Sequence, residues 1–305
     1  MKGYKAFNKD MTCQGFQYEE GKTYEKKEKP VICERGFHYC ENPLDVLGYY
    51  DLCESEFAEV ESLGEISKKE DDEDSKRCTD KIKIGVKLDL KGFIKAGFDF
   101  VWERCKIDKG DYSKLASSGD SSQLASSGDY SKLASSGDYS KLASSGYYSQ
   151  LASSGYYSQL ASSGYYSKLA SSGDYSKLAS SGDSSQLASS GDSSQLASSG
   201  YSSKLASSGD SSKLASSGYY SQLASSGYYS KLDLSGNDSV GASIGIDNKI
   251  KAKKGCWITL AEWKYDNKKN RYIPVCVKSA QIDGKKLKED VWYILKDKKF
   301  VEVEE

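Results

Sequence analysis

A nine-residue sequence motif repeats without a break through the middle of the chain. Glycine recurs at every ninth residue from Gly110 to Gly245, and each unit follows the pattern [D/Y]-[Y/S]-S-[K/Q]-L-A-S-S-G. Thirteen units carry the intact LASSG ending, the next reads YYSKLDLSG, and a final unit, NDSVGASIG, has drifted further. A fixed short period with an atypical last unit is typical of a repeat array that ends on a cap.

A disordered linker rich in serine and glycine is the alternative interpretation of this region. A linker has no need of a leucine in every unit, and the array also contains 15 tyrosines. Disordered segments are poor in such apolar and aromatic side chains. Both observations favour a folded solenoid.

The period limits the kind of solenoid that can form. Helical repeats need about 20 to 47 residues per unit, whereas nine residues suit one strand and one tight turn. Two units would then make one coil, and fourteen units predict seven coils and a rod of roughly 35 Å.

Side-chain alternation along each strand predicts what faces the core. Stacked Lys/Gln side chains cannot be buried, so we expect their neighbours Ser and Leu to point inward. Tyr and Ala would then point outward with Lys/Gln. We place the turn at S-S-G-[D/Y], with glycine supplying a positive φ.

The flanking segments have ordinary mixed sequences and are the natural caps of the array. Asn42 and Pro43 indicate a helix start, EFAEVES and KIKIGVKLDL alternate like strands, and DLKGFIKAGFDFVWERC suggests a helix. Near the C-terminus, CWITLAEW, IPVCVKSAQI, DVWYILKD and KFVEVE are typical of a β-meander.

The predicted fold is therefore mainly β, with three parts. An α+β module over residues 1–109 caps one end of the array. A nonapeptide β-solenoid, with two strands in each 18-residue coil, spans residues 110–245, and a β-meander cap follows over residues 246–305.

Several stretches carry a resemblance to known sequences. KGYKAFNKDMTCQGFQYEEGKTYE, GFHYCENPLDVLGYY and FAEVESLGEI, with the closing GCWITLAEW…VKSAQIDGKKLKEDVWYILKDKKFVEV, resemble an uncharacterised domain family of bacteriophage and Firmicute proteins, in which nonapeptide arrays lie between the two ends. The resemblance covers nearly the whole chain and implies a phage or prophage context, but no functional residues. The array tail, NDSVGASIGIDNKIKAKKG, resembles the β-roll heads of trimeric autotransporter adhesins, which implies a trimer as an alternative to a monomeric rod.

Charge and hydropathy exclude several function classes. The 43 basic and 44 acidic side chains leave a net charge of −1, which is not the basic footprint of a nucleic-acid-binding protein. No stretch approaches the roughly 18 apolar residues of a membrane span, and the N-terminus has no secretory apolar region. The eight cysteines form no C-x-x-C pair, so we predict free thiols in the cytoplasm of a bacterial host.

The chain offers little metal-binding chemistry. Calcium β-rolls also have nine-residue half-coils, but they need G-G-x-G-x-D. Here a single glycine is followed by Asp in eight of the fourteen units and by Tyr in the other six. We predict no metal and no cofactor.

His38 is the only histidine, and we assign no catalytic residue. Cys40 lies two residues away, and we do not expect the two side chains to act as a nucleophile–base pair. The pattern GFHYC…YY resembles the NAD-contacting His and Tyr motifs of ADP-ribosyltransferases. This resemblance implies the alternative function, an enzyme with a site near His38 and the repeat as a spacer.

The remaining feature is a repetitive surface of Tyr, Lys and Gln. Tyrosine offers a large contact area at little entropic cost, although stacked tyrosines could equally serve to stiffen the rod. We predict a non-enzymatic interaction protein that binds a host factor during phage infection. A structural, self-assembling phage component, with the chain as a dimer or trimer, is the third hypothesis. The predicted binding surface consists of the second-position tyrosines Tyr112, Tyr130, Tyr139, Tyr148, Tyr157, Tyr166, Tyr175, Tyr220 and Tyr229.

Overall fold

The computed structural model describes residues 1–68, 75–104 and 110–304. The chain forms two compact units, Met1–Cys105 and Lys106–Glu305. The second unit contains both the nonapeptide array and the C-terminal strands, which the sequence analysis separates at residue 245.

The first unit is built on an antiparallel sheet. Its strands, in the described residues, are β1 (Lys2–Asn8), β2 (Thr12–Cys13), β3 (Phe16–Gln17), β4 (Thr23–Glu25), β5 (Phe37–Cys40), β6 (Ser55–Ser62), β7 (Ile66–Ser67), β8 (Lys76–Thr79) and β9 (Lys81–Leu88). Seven of these strands form one sheet in the order β4-β9-β6-β1-β5-β8-β7, and β2 and β3 form a separate hairpin. The predicted strands EFAEVES and KIKIGVKLDL are confirmed as β6 and β9.

Two helices accompany this sheet. The predicted helix start is confirmed, because the Asn42 side chain accepts a hydrogen bond from the Leu44 amide at 3.1 Å, although the helix, Pro43–Gly48, is a 3₁₀ helix. The predicted second helix is α1 (Leu90–Arg104). The ring of its Phe93 stacks on Phe57 of β6 with centroids 4.1 Å apart, so α1 packs on the sheet.

The array folds into the predicted β-solenoid. The strands of one sheet, the first sheet, are β10 (Lys114–Ser117), β12 (Lys132–Ser135), β14 (Gln150–Ser153), β16 (Lys168–Ser171), β18 (Gln186–Ser189), β20 (Lys204–Ser207), β22 (Gln222–Ser225) and β24 (Val240–Ser243). Those of the second sheet are β11 (Gln123–Ser126), β13 (Lys141–Ser144), β15 (Gln159–Ser162), β17 (Lys177–Ser180), β19 (Gln195–Ser198), β21 (Lys213–Ser216), β23 (Lys231–Leu234) and β25 (Lys249–Ala252). Neighbouring strands are parallel and in register, so that each residue pairs with the one 18 positions later, as Leu133 does with Leu151.

The solenoid has about eight coils instead of the predicted seven. The additional coil comes from the drifted tail, in which β24 and β25 continue the two sheets. The sequence of the tail departs from LASSG, but it keeps an inward apolar residue, such as Ile250, which is fully buried.

The predicted leucine core is confirmed. Leucines of both sheets, from Leu133 to Leu232, are at most 2% exposed and form one continuous cluster. Serines line its margins: Ser171 Oγ donates to Ser176 Oγ at 2.7 Å, and Ser176 Oγ donates to the Gly173 carbonyl at 2.7 Å. Because these hydroxyls satisfy one another and the turn carbonyls, serine is tolerated inside the coil.

The turns differ from the prediction. The second residue of each unit, and not the glycine, adopts the left-handed conformation, with φ between 53° and 61° from Tyr112 to Asp247. Glycine is required for a different reason: a Cβ on Gly182 would lie 2.0 Å from the carbonyl oxygen of Gly164, one coil earlier. The predicted positive φ at glycine is wrong, because the constraint on glycine is close approach between coils.

The C-terminal strands close one end of the solenoid. They are β26 (Trp257–Asp266), β27 (Arg271–Gln281), β28 (Trp292–Lys296) and β29 (Lys299–Val303). The strands themselves are confirmed, but they form two hairpins rather than one meander, with β26–β27 extending the first sheet and β28–β29 the second. Ile258, Leu260 and Tyr293 continue the leucine core into these hairpins. In the described residues, no helix is long and apolar enough to cross a membrane.

Candidate functional site

The predicted tyrosines lie on the two edges of the solenoid and not on its flat faces. Each strand is only four residues long, so the second residue of the unit falls in the turn before it. The expectation that Tyr points out from a strand face beside Lys/Gln is therefore wrong. Edge 1, the turns entering the first sheet, carries Tyr112, Tyr130, Tyr148, Tyr166 and Tyr220, and edge 2, the turns entering the second sheet, carries Tyr139, Tyr157, Tyr175 and Tyr229.

Seven of these tyrosines form two stacked ladders. The edge-1 ladder is Tyr112, Tyr130, Tyr148 and Tyr166, with successive ring centroids 4.9–5.1 Å apart and ring planes within 7° of parallel. The edge-2 ladder is Tyr139, Tyr157 and Tyr175, with centroids 4.9–5.2 Å apart. The spacing of the rings follows the spacing of the coils.

The ladder rings remain accessible. Their exposure ranges from 44% for Tyr148 to 69% for Tyr112. Each turn is held by hydrogen bonds between coils, such as the one that the Tyr148 amide donates to the Tyr165 carbonyl at 2.9 Å. The ladders are thus exposed aromatic surfaces on a fixed backbone.

Tyr220 and Tyr229 are not part of the ladders. Serines occupy the intervening second positions, Ser184 and Ser202 on edge 1 and Ser193 and Ser211 on edge 2. Tyr220 instead packs against the ring of Tyr201 at 5.2 Å, tilted by 59°.

First-position tyrosines add to the same edges and were not among the predicted site residues. Tyr147 and Tyr165 stack with centroids 5.4 Å apart, beside the edge-1 ladder. The doubled YY at residues 147–148, 156–157 and 165–166 is the sequence signal that could have identified them. Tyrosine is therefore densest between residues 147 and 166.

The aspartates at the first position of the repeat unit have a structural role. Each of the eight accepts a hydrogen bond from the backbone amide one coil later, at 2.8–3.0 Å, as Asp129 does from Tyr147. These carboxylates satisfy turn amides that would otherwise lack a partner. Among the described residues, no group of three or more His, Cys, Asp or Glu side chains could hold a metal ion.

The first unit contains a cavity of about 360 Å³ beside β1 and β5. His38 and Cys40 both line it, because residues two apart in a strand share a face. We did not expect these two side chains to act together, and the structure places them on the same wall of the cavity. Cys40 is buried, and all seven cysteines in the described residues are free thiols.

His38 is held by the backbone. Its Nε2 accepts a hydrogen bond from the Cys33 amide at 2.9 Å, so the neutral ring carries its proton on Nδ1. Burial, with the nearby ammonium groups of Lys76, Lys5 and Lys26, lowers the pKa of His38 from 6.5 to about 4. At neutral pH the ring is uncharged, and its Nε2 lone pair is occupied.

The N-terminal part of the chain is similar to a known family. Residues 1–96 match a family model described as Domain of unknown function (DUF7666). The matched segment covers the sheet of the first unit and ends within α1. No curated protein and no solved structure matches the chain.

Proposed function

We propose that this protein is a non-enzymatic interaction protein whose solenoid presents tyrosine ladders to a protein partner. The observation that carries the proposal is the pair of ladders, in which seven aligned and exposed rings lie on two edges of one solenoid.

The turn itself does not require tyrosine. Ser121, Ser184 and Ser193 hold the same left-handed conformation at the same position, with φ of 54–56°. A tyrosine at this position therefore adds nothing that the turn needs, whereas it exposes apolar area to water. Exposed contiguous aromatic area on a folded surface is typical of an interaction site.

A rigid aromatic edge suits a protein partner. The backbone is already ordered, and a tyrosine has few torsions to immobilise, so little entropy is lost on binding. Lysine at the fourth position and aspartate at the first occur eight times each and offset one another. We therefore expect recognition through ring contacts and a weak dependence of affinity on salt.

The partner belongs, in this proposal, to the cytoplasm of a bacterial host and is met during phage infection. This part rests on the sequence resemblance to phage and Firmicute proteins. Self-assembly of the chain into a dimer or trimer through its edges is the competing use of the same rings.

Two deletions of equal length test the role of the ladders. Removing residues 147–182 takes out four units that carry seven tyrosines, and removing residues 183–218 takes out four units that carry one. Both deletions remove two whole coils and keep the first unit and the C-terminal hairpins. We expect a partner captured by full-length protein from host lysate, identified by mass spectrometry, to be lost only with the first deletion.

Point substitutions then test the tyrosine rings without changing the length of the solenoid. Tyr148→Ser, Tyr157→Ser and Tyr166→Ser together place at these turns a residue that the array already uses there, and they should abolish capture. Gln150→Lys with Gln186→Lys, another exchange native to the array, should leave capture unchanged. Equal capture by both deletions would assign binding to the first unit or to the C-terminal hairpins. Failure of every form to capture a protein, together with sedimentation as a larger assembly, would favour self-assembly.

A further inference from the structure

The cavity of the first unit has an unusual charge balance. Three lysines, Lys5, Lys26 and Lys76, line it, and no Asp or Glu is found among its described lining residues. Protein interiors rarely hold ammonium groups without a carboxylate. Lys5, which is buried at this cavity, has neutral hydrogen-bond partners, Cys13 and the His38 carbonyl, among the described residues.

Lys5 is the most buried of the three. It is 5% exposed, and its Nζ donates to the His38 carbonyl at 2.9 Å and to Cys13 Sγ at 3.5 Å. Its Nζ also lies 5.6 and 5.5 Å from the ring centroids of Phe7 and Tyr18. An ammonium has three N–H groups, so an anion can accept the third in place of this weaker contact with the rings. Burial lowers the pKa of Lys5 below its ordinary value, with Cys13 opposing the change, because the charge is costly without an anion.

The other two ammonium groups lie against aromatic rings at the same cavity. Lys26 Nζ is 5.2 Å from the centroid of the Phe37 ring, and Lys76 Nζ is 4.1 Å from that of Tyr49. Lys76, Lys5 and Lys26 all contribute to the lowered pKa of His38, so their fields overlap at one point of the cavity wall.

Exposed aromatic rings stand beside these charges. Phe16 and Tyr49 line the cavity and are 42% and 50% exposed. Phe16 is held edge-on by Tyr18 and Tyr24, with centroids 4.8 and 5.3 Å away, so its position is fixed while one side stays open. Such a ring is a platform on which a planar ligand group can stack.

We propose that this cavity binds a small anion carrying a planar ring, the chemistry shared by nucleoside monophosphates and aromatic carboxylates. The anionic group accepts a hydrogen bond from Lys5 and lies in the field of Lys26, and the ring stacks on Phe16. A volume of about 360 Å³ is at the small end of ligand pockets, which matches a ligand of this size. The inference concerns the first unit alone and does not depend on the tyrosine ladders.

Binding in this way is coupled to protons. An anion beside Lys5 favours the charged amine, so its pKa rises toward the ordinary value when the ligand binds. In the pH range where the free protein has lost that proton, binding takes one up, and affinity falls as pH rises.

Calorimetric titration of the full-length protein with four probes tests the proposal. AMP and benzoate each combine a ring with an anion, adenosine has the ring alone, and inorganic phosphate has the anion alone. We expect AMP or benzoate to bind at least about tenfold more tightly than adenosine or inorganic phosphate. Whichever of the two binds more tightly shows whether the site prefers a phosphate or a carboxylate. Titrations in two buffers of different ionisation enthalpy should reveal the proton uptake.

Substitutions locate the binding. Lys5→Met and Lys26→Met should each weaken the preferred probe about tenfold, and Lys83→Met, an exposed lysine of β9 outside the cavity, should not. If Lys5→Met fails to fold, the exposed Lys26 still decides the matter. The proposal is overturned if neither ring-bearing anion binds, if adenosine or phosphate alone binds as tightly, or if Lys83→Met weakens binding as much as the cavity substitutions do.

Discussion

Alanine at a single glycine of the array should lower stability at one turn and leave it nearly unchanged at another turn with the same local sequence. At Gly182 a Cβ would lie 2.0 Å from the Gly164 oxygen and 2.5 Å from the Gly164 carbonyl carbon. At Gly119, in the first coil, the nearest described atom is Ser122 Oγ at 3.7 Å, an ordinary contact. Neither glycine has a positive φ, so the two sites differ only in whether a coil lies beneath them.

The cost at Gly182 can be worked out from this contact. Restoring an ordinary separation of about 3.4 Å requires the two coils to move apart locally by about 1.4 Å. The hydrogen bonds on either side of the turn, from Ser181 N to Ser162 O at 3.0 Å and from Tyr166 N to Asp183 O at 2.9 Å, would then exceed hydrogen-bond range. Two such bonds contribute about 1 kcal/mol each, and residual overpacking adds about 1–2 kcal/mol. We therefore expect Gly182→Ala to lower the free energy of unfolding by about 3–4 kcal/mol.

Gly119→Ala is the matched control. It should change stability by less than about 0.5 kcal/mol, or raise it slightly, because alanine restricts the unfolded chain. Urea unfolding followed by circular dichroism gives both values. Equal stability of the two variants would refute the argument that close approach between coils, and not backbone conformation, dictates glycine here.

Two other predictions concern buried polar groups. Ser176→Ala removes the acceptor of Ser171 Oγ and the donor to the Gly173 carbonyl, and should cost about 1–3 kcal/mol in urea unfolding, whereas Ser172→Ala, at an exposed position, should be neutral. His38 is neutral in the folded state down to a pKa of about 4 but has a pKa of 6.5 when unfolded, so the unfolded state binds more protons between these values. Stability is therefore complete above pH 6.5 and falls as the pH drops toward 4, by about 1–2 kcal/mol after allowance for partial exposure. Thermal unfolding from pH 4 to 8 should show this slope in the wild type and not in His38→Gln.

Sequence was sufficient for the architecture of the array. The period of nine excluded helical repeats, and the need to expose Lys/Gln decided that Leu would be inside. The same alternation failed at the turn, because it extended the strand to the second-position residue. A left-handed Tyr such as Tyr148 has no sequence signature, since non-glycine residues adopt that conformation rarely and only where hydrogen bonds between coils hold them there.

The charged cavity could not be predicted from the sequence, because the residues that form it are far apart in the chain. Lys5, Lys26 and Lys76 are separated by long stretches of chain, and each alone has the appearance of an ordinary surface lysine. The pairing of β1 with β5, and of β5 with β8, brings Lys5 and Lys76 to one opening. Lys26 reaches the same opening from outside these strands, where its amide donates to the Asp80 carbonyl at 2.8 Å. His38 was noted because it is the only histidine, yet its neighbours give the site its charge.

Because identical half-coils stack in register, the number of repeats that the gene gains or loses decides whether the tyrosines stay on the same edge. Tandem DNA repeats gain and lose copies during replication, and every copy here encodes one side of the rod. Loss of an even number of copies shortens the rod and leaves each remaining ring on its own edge. Loss of an odd number turns the part of the rod before it by half a coil, so that the edge-1 ladder of Tyr112 to Tyr166 joins edge 2. Both products have the same turns and the same leucine core, so folding alone does not distinguish them. If a partner binds one particular edge, we therefore expect the arrays of related genes to differ by even numbers of copies.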